Sequence, residues 1–177
     1  MTNANPEIER VLRARAQALA RVPEQARAQA NLLEVLEFRL ASERYAVETR
    51  HIQEVHPFRE LTPLPCTPAF VLGVVNVRGR ILPVHDIKTF FGLPEQGLTD
   101  LHRIILVHGH DLELGLLADV TVGVRKVKAD DLQPTLATFT GIHAEYLLGI
   151  DAERLVVLHL DRILSDPKII VHDEVTS

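Results

Sequence analysis

The stretch Phe70-Val71-Leu72-Gly73-Val74-Val75-Asn76-Val77-Arg78-Gly79-Arg80-Ile81-Leu82-Pro83-Val84-His85-Asp86-Ile87 decides the fold. Two apolar runs, 70–75 and 80–84, flank the turn Asn76-Val77-Arg78-Gly79. Short, apolar and bounded by turn formers, they read as the strands of a β-hairpin. Gly79 supplies the positive φ of a tight turn, and the Asn76 side chain is placed to bond the turn's own backbone. Neither requirement accounts for Arg78. A guanidinium on a rigid hairpin tip offers a planar fork to a partner's carboxylates or carbonyls, and an ordinary solvated Arg would occupy the same place.

Upstream, the pattern is also extended. Leu36, Phe38 and Leu40 alternate with Glu37 and Arg39, the period of a half-buried strand. Ala41 to Arg44 form the turn, Tyr45 and Val47 alternate with Ala46 and Glu48, and Ile52 to Val55 begin a third strand. The loop Thr62-Pro63-Leu64-Pro65-Cys66-Thr67-Pro68 is too rich in proline for a helix or a central strand. Residues 5–22 read as a helix: Asn5 caps, Pro6 fits the first turn, and Ile8, Val11, Leu12, Leu19 and Val22 form one apolar stripe. Pro23 ends it, and residues 24–31 are a second short helix or a linker.

Downstream, residues 86–93 read as one helical turn, and a second set of strands comes after it. Ile104 to Val107 is one, Gly109-His110-Asp111 turns, and Leu112, Leu114 and Leu116 alternate with Glu113 and Gly115. Val120, Val122 and Val124 alternate with Thr121 and Gly123, and after a longer loop residues 146–150 and 154–160 are apolar, with Asp161 placed to cap a short helix. The two sets resemble each other. Tyr45, Val47 and Val55 match Leu114, Leu116 and Val124 at an offset of 69. Phe70 to Val74 match Tyr146 to Ile150 at 76, with Gly73 falling on Gly149, and Arg80 to Leu82 and His85 match Arg154 to Val156 and His159 at 74. The kept glycine and kept order indicate an internal duplication. The expected architecture is mainly β: two similar small barrels, each closed to remove its sheet edges, preceded by an added N-terminal α-helix. The expected divisions are an Arg/Ala-rich helical extension over 1–31, a body over 32–165 split at about 100 into subdomains 32–100 and 101–165, and a tail over 166–177.

Composition restricts the function. Of 177 residues, 46% are hydrophobic and 24% charged, which suits one globular domain or two very small ones. Trp is absent and aromatics are 5%, so the core is aliphatic. Residues 1–30 hold five Arg and three Glu, a net of +2; the rest holds 14 basic and 21 acidic residues, −7, which together give −5. An acidic body is poorly suited to nucleic acid, whose phosphates require a basic surface. The single cysteine, Cys66, allows no internal disulfide and fits a reducing compartment. No apolar run approaches the roughly 20 residues that cross a bilayer, and the polar, Arg-rich start lacks a signal-peptide core. A cytoplasmic protein with no direct membrane insertion is expected.

No catalytic constellation stands out. There is no phosphate-binding glycine loop, dinucleotide fingerprint or Gly-x-Ser-x-Gly elbow. His108-Gly109-His110 offers two imidazoles, but with only Asp111 adjacent it reads as a polar hairpin tip, and no metal site is expected. Cys66 lies between prolines with no His or cation beside it in sequence to depress its pKa. His51, His56, His85 and His159 lie in or beside strands and read as structural, the last two sharing a packing role through the repeat. No cofactor and no enzymatic activity are expected.

Residues 70–87 resemble the signature of CheW-like domains, in which a Gly precedes an Asn-Leu-Arg-Gly turn and a strand ending in Asp. Residues 38–55, with Ile52-Gln53-Glu54-Val55, resemble the family's first strands, and residues 114–124 resemble the start of its second half, so the likeness covers about 33–165. The resemblance implies a double SH3-like barrel that scaffolds. It implies a cytoplasmic adaptor at membrane receptor arrays, joining the cytoplasmic tip of a methyl-accepting chemoreceptor to the regulatory domain of a CheA-type histidine kinase. The residues it assigns to the receptor are Ile52, Glu54, Gly73, Asn76, Arg78 and Gly79. Val77 replaces the usual Leu, Ala118-Asp119 stands where Val-Asp is common, and the N-terminal helix lies outside the basic domain. That helix leaves a second output open, a CheW-like scaffold serving pili or development. A ligand-binding β-barrel and a nucleic-acid-binding barrel are the readings from other classes.

Overall fold

The computed structural model describes residues 31–93, 101–134 and 144–169. The helix expected over 5–22 and the tail beyond 169 lie outside the described residues. The chain divides into two units, Met1–Leu32 and Leu33–Ser177, and the second holds every described strand and helix except for the first residue of the opening strand.

Ten strands and two short helices make up the described fold: β1 Leu32–Leu40, β2 Glu43–Glu48, β3 Ile52–Pro57, β4 Val71–Val77, β5 Arg80–His85, α1 Ile87–Phe91, β6 Arg103–Gly109, β7 Leu112–Ala118, β8 Val120–Lys128, β9 Leu147–Ile150, β10 Val156–Leu158 and α2 Leu160–Leu164. They form two five-stranded sheets, ordered β8-β1-β2-β10-β9 and β3-β6-β7-β5-β4. If β1 to β5 are matched with β6 to β10, the first order becomes the second, so the two sheets share one topology.

The division expected near residue 100 does not separate them. Each sheet takes strands from both halves, because the 3-10 turn Thr49–His51 carries the chain from β2 in one sheet to β3 in the other. The single residue Asp119 does the same between β7 and β8. The vacated places are filled in parallel by the other half: β10 pairs with β2, and β5 with β7.

Burial reflects this arrangement. Phe38, Tyr45 and Val47 of the first sheet meet Ile105, Val107, Leu114 and Leu116 of the second, together with Ile87 and Phe91 of α1 and Leu160, Ile163 and Leu164 of α2. Ile104, Leu106, Val75, Val77, Leu82 and Val84 fill the hollow of the second sheet. Val35, Ala46, Val127, Leu155 and Val157 fill that of the first. Residues Ile104–Val107 are buried throughout because one face of β6 lines a hollow and the other lines the shared core.

Closed barrels were expected, and neither sheet closes by strand pairing. The chain beyond β3 reaches β4 through one bridge, Thr62 to Val74, and the chain beyond β8 reaches β9 through one bridge, Gln133 to Ile150. Pro63 comes after the first and Pro134 after the second. Proline has no N–H to donate, so neither ladder extends further. The same bridges explain the repeated glycine. Gly73 has φ +148°, and a Cβ there would overlap the Thr62 carbonyl; Gly149 has φ +152°, and its Cβ would stand 2.9 Å from the Gln133 oxygen.

Strand register corrects one offset of the repeat. Val71 stands opposite His85, and Leu147 opposite Leu158. His85 therefore matches Leu158 rather than His159, and the offset in this strand is 73. His85 is buried with its ring edge-on to Phe70 at 5.4 Å, whereas His159 precedes α2 and makes no side-chain cap. The cap expected of Asp161 is absent too, since Asp161 is the second residue of α2. The cap of α1 is made by Asp86, which accepts from the Lys88 amide at 2.9 Å, with Gly92 left-handed at the other end.

Candidate functional site

The hairpin joining β4 to β5 has a two-residue loop, because Val77 pairs with Arg80. Both loop residues have positive φ, 52° at Arg78 and 84° at Gly79. This is the backbone sense whose twist suits a two-residue hairpin. The Asn76 carboxamide oxygen accepts from the Gly79 amide at 2.9 Å. Sequence placed the positive φ at Gly79 alone. Arg78 shares it, and a non-glycine residue there carries strain that Gly or Asn would lower. Six other non-glycine residues among those described share a positive φ, including Ala41, His110 and Asp111 at hairpin turns, so the backbone by itself assigns Arg78 no role.

Arg78 has a side chain 79% exposed, and its Nη2 lies 2.7 Å from Glu54 Oε2. Glu54 stands on β3, at the opposite end of the sheet from β4. The ion pair therefore spans the gap between the two ends of a curled five-stranded sheet, on the hairpin side, as the Thr62–Val74 bridge does at its own position. His56 Nε2 reaches the other oxygen of Glu54 at 2.9 Å. The His56 hydrogen bond first, then the charges of His56, Arg78 and Arg80, hold the Glu54 carboxyl below the usual range. Beside it Arg80 pairs with Glu113 at 2.5 Å and reaches Gln53 at 3.2 Å, and Gln53 donates to Glu113 at 2.7 Å.

The structure thus brings together Glu54, Asn76, Arg78 and Gly79. Ile52 lies two residues before Glu54, half-buried and packed against the shared core. Gly73 is packed against Thr62 and Pro63, and that contact accounts for it without a ligand. Sequence reasoning missed Gln53, Arg80 and Glu113: Arg80 and Glu113 meet across the neighbouring strands β5 and β7, and sheet curvature brings Gln53 of β3 to both. It also missed the exposed apolar residues Ile81 (71%), Val122 (57%) and Val124 (59%). Alternation along β8 marked two faces but does not say which one points inward. Val120, Val122 and Val124 are all exposed.

The His108 carbonyl faces His51 Nδ1 at 3.3 Å, and His110 Nε2 is 3.7 Å from Asp161. Among the described residues no group of three or more His, Cys, Asp or Glu is arranged to hold a metal ion. Cys66 is exposed in its loop. No helix among the described residues is long and apolar enough to cross a membrane. What remains is exposed charge on the hairpin tip, with the exposed side chain of Ile81 three residues beyond Arg78.

Known proteins are similar to this chain along most of its length. Residues 34–168 match the model of the CheW-like domain. The chain is 30% identical over 133 residues to a chemotaxis protein CheW of Rhizobium meliloti (strain 1021), covering 73% of this chain and 86% of that protein. It is 32% identical over 133 residues to Protein FrzA of Myxococcus xanthus, covering 72% and 82% respectively. Among solved structures, the scaffolding protein TtCheW from Thermoanaerobacter tengcongensis superposes with a TM-score of 0.69 at 27% identity, covering 77% of this chain and 90% of that one. With the family model spanning both curled sheets, this chain belongs to the CheW-like domain family.

Proposed function

We propose that the chain is a non-enzymatic adaptor, cytoplasmic and held at membrane receptor arrays, that couples methyl-accepting chemoreceptors to a CheA-type histidine kinase. Family membership and likeness to chemotaxis proteins and to a scaffolding protein support the reading. The observation that carries it is Arg78, exposed on its hairpin tip and held by Glu54. A guanidinium paired on one edge keeps its remaining N–H donors for a partner's carbonyls or carboxylates. The receptor tip engages Ile52, Glu54, Asn76, Arg78 and Gly79, with Gly73 supporting the strand beneath. The kinase regulatory domain engages the ends of the curled sheets.

The test is capture from native lysate with the tagged full chain, followed by identification of what is retained. The account expects a CheA-type kinase together with a methyl-accepting receptor, and their identity names the pathway served, motility or another output. Retention of neither would contradict it. Salt-dependent retention of DNA or RNA would favour the nucleic-acid reading instead.

A further inference from the structure

The two crossovers between sheets carry matching ion pairs of opposite polarity. Lys88 is the second residue of α1, and Asp161 is the second residue of α2. Asp119 stands where the chain passes from β7 to β8, and Arg50 stands where it passes from β2 to β3. Lys88 Nζ pairs with Asp119 at 2.5 Å, and Arg50 Nη2 pairs with Asp161 at 3.1 Å. Helix cation on crossover anion in one place becomes helix anion on crossover cation in the other. The hairpin turns match as well: the Ala41 amide donates to Asp119 at 2.6 Å, and His110, at the equivalent turn, lies 3.7 Å from Asp161.

Their surroundings differ. The Lys88 and Asp119 side chains are 1% and 13% exposed, and His102 Nε2 adds a third group at 3.0 Å. The Arg50 and Asp161 side chains are 61% and 34% exposed. Arg50 is also divided between Asp161 and Glu48, the latter at 2.9 Å, and His51 Nε2 stands off at 3.5 Å. Solvent and salt screen an exposed pair far more than a buried one, and breaking a buried pair leaves an uncompensated charge.

We propose that Lys88–Asp119 is a fixed fastening and Arg50–Asp161 an openable latch, so that the molecule flexes at the Thr49–His51 crossover and not at Asp119. β3 begins directly after that crossover and carries Glu54. Opening the latch therefore loosens the start of β3, where its ladder with β6 shifts register between Ile52 and Glu54, the partner of Arg78. Its use in coupling rests on the proposed function; the latch itself does not.

Hydrogen exchange of the full chain tests it without any partner. Between roughly 0.05 M and about 1 M NaCl, where screening lengths fall from over 10 Å to about 3 Å, exchange in segments 49–57 and 160–164 should rise several-fold relative to segments 86–91 and 117–121. Arg50→Gln and Asp161→Asn should each reproduce that rise at low salt and remove the salt response. Equal salt sensitivity at the two crossovers, or unchanged exchange at 49–57 in both variants, would overturn the proposal. Failure of the unaltered chain to capture a receptor, with its salt response intact, would count against the coupling role alone.

Discussion

Gly73 and Gly149 hold the same place in two different sheets, each against the one residue that reaches across from the other end of its own sheet. Gly123 shares their backbone, with φ +150°, but has nothing within 4 Å of its Cβ position. Replacement by Ala should cost about 2–4 kcal/mol at Gly73, where backbone strain adds to overlap with a carbonyl, and about 1–3 kcal/mol at Gly123, where strain acts alone. Gly149→Ala should fall between them. Denaturant midpoints would check the order, and equal losses at all three would contradict the bridging role.

Phe38 lies fully buried in the core shared by the sheets, stacked on Tyr45 at 6.3 Å. Phe38→Ala should destabilise by about 3–5 kcal/mol. A loss below about 1 kcal/mol in chemical denaturation would mean that the shared core does not depend on it.

Much of this was legible in the sequence and some was not, for physical reasons. Alternation at Leu36, Phe38 and Leu40 and at Leu114 and Leu116 gave strands with the correct inward faces, because local periodicity reflects local geometry. The turn at Asn76 to Gly79 was readable for the same reason. The exchange of strands at Thr49–His51 and Asp119 was not, since a chain passing between sheets and a chain turning within one use similar residues. Glu54 as partner of Arg78 and Gln53 as partner of Arg80 were hidden because sheet curvature, not spacing, brings β3 to the hairpin tip. His85 was matched to His159 by identity alone, and only strand register showed the equivalence to be false.

The composite sheets make a prediction for fragments. Residues 1–100 lack β8, β9 and β10, and so leave β1 and β2 without their partners on either side. Neither 1–100 nor 101–177 should unfold cooperatively by itself. A cooperative transition in either fragment would contradict the interlocked arrangement.

His85 gives the fold a dependence on acid. Burial pushes its pKa down from the ordinary 6.5 to about 4. The folded state holds the ring neutral while the unfolded chain takes up a proton below about 6.5. Its contribution is therefore complete above that pH, declines as pH falls towards 4, and amounts to about 3 kcal/mol across the window. His85→Phe, which keeps a ring against Phe70, should flatten the loss of stability between pH 7 and pH 4. An unchanged slope would exclude His85 as its source.

Under the proposed function, Arg78, exposed on its hairpin and paired with Glu54, contacts the receptor rather than the kinase. The direct measurement is the affinity of Arg78→Ala for a receptor cytoplasmic tip and, separately, for the kinase regulatory domain. Stability should change by no more than about 0.5 kcal/mol, since an exposed turn Arg carries little core energy. Receptor affinity should fall roughly tenfold or more, with kinase affinity unchanged. Wild-type receptor affinity in that variant, with normal receptor control of the kinase, would contradict it.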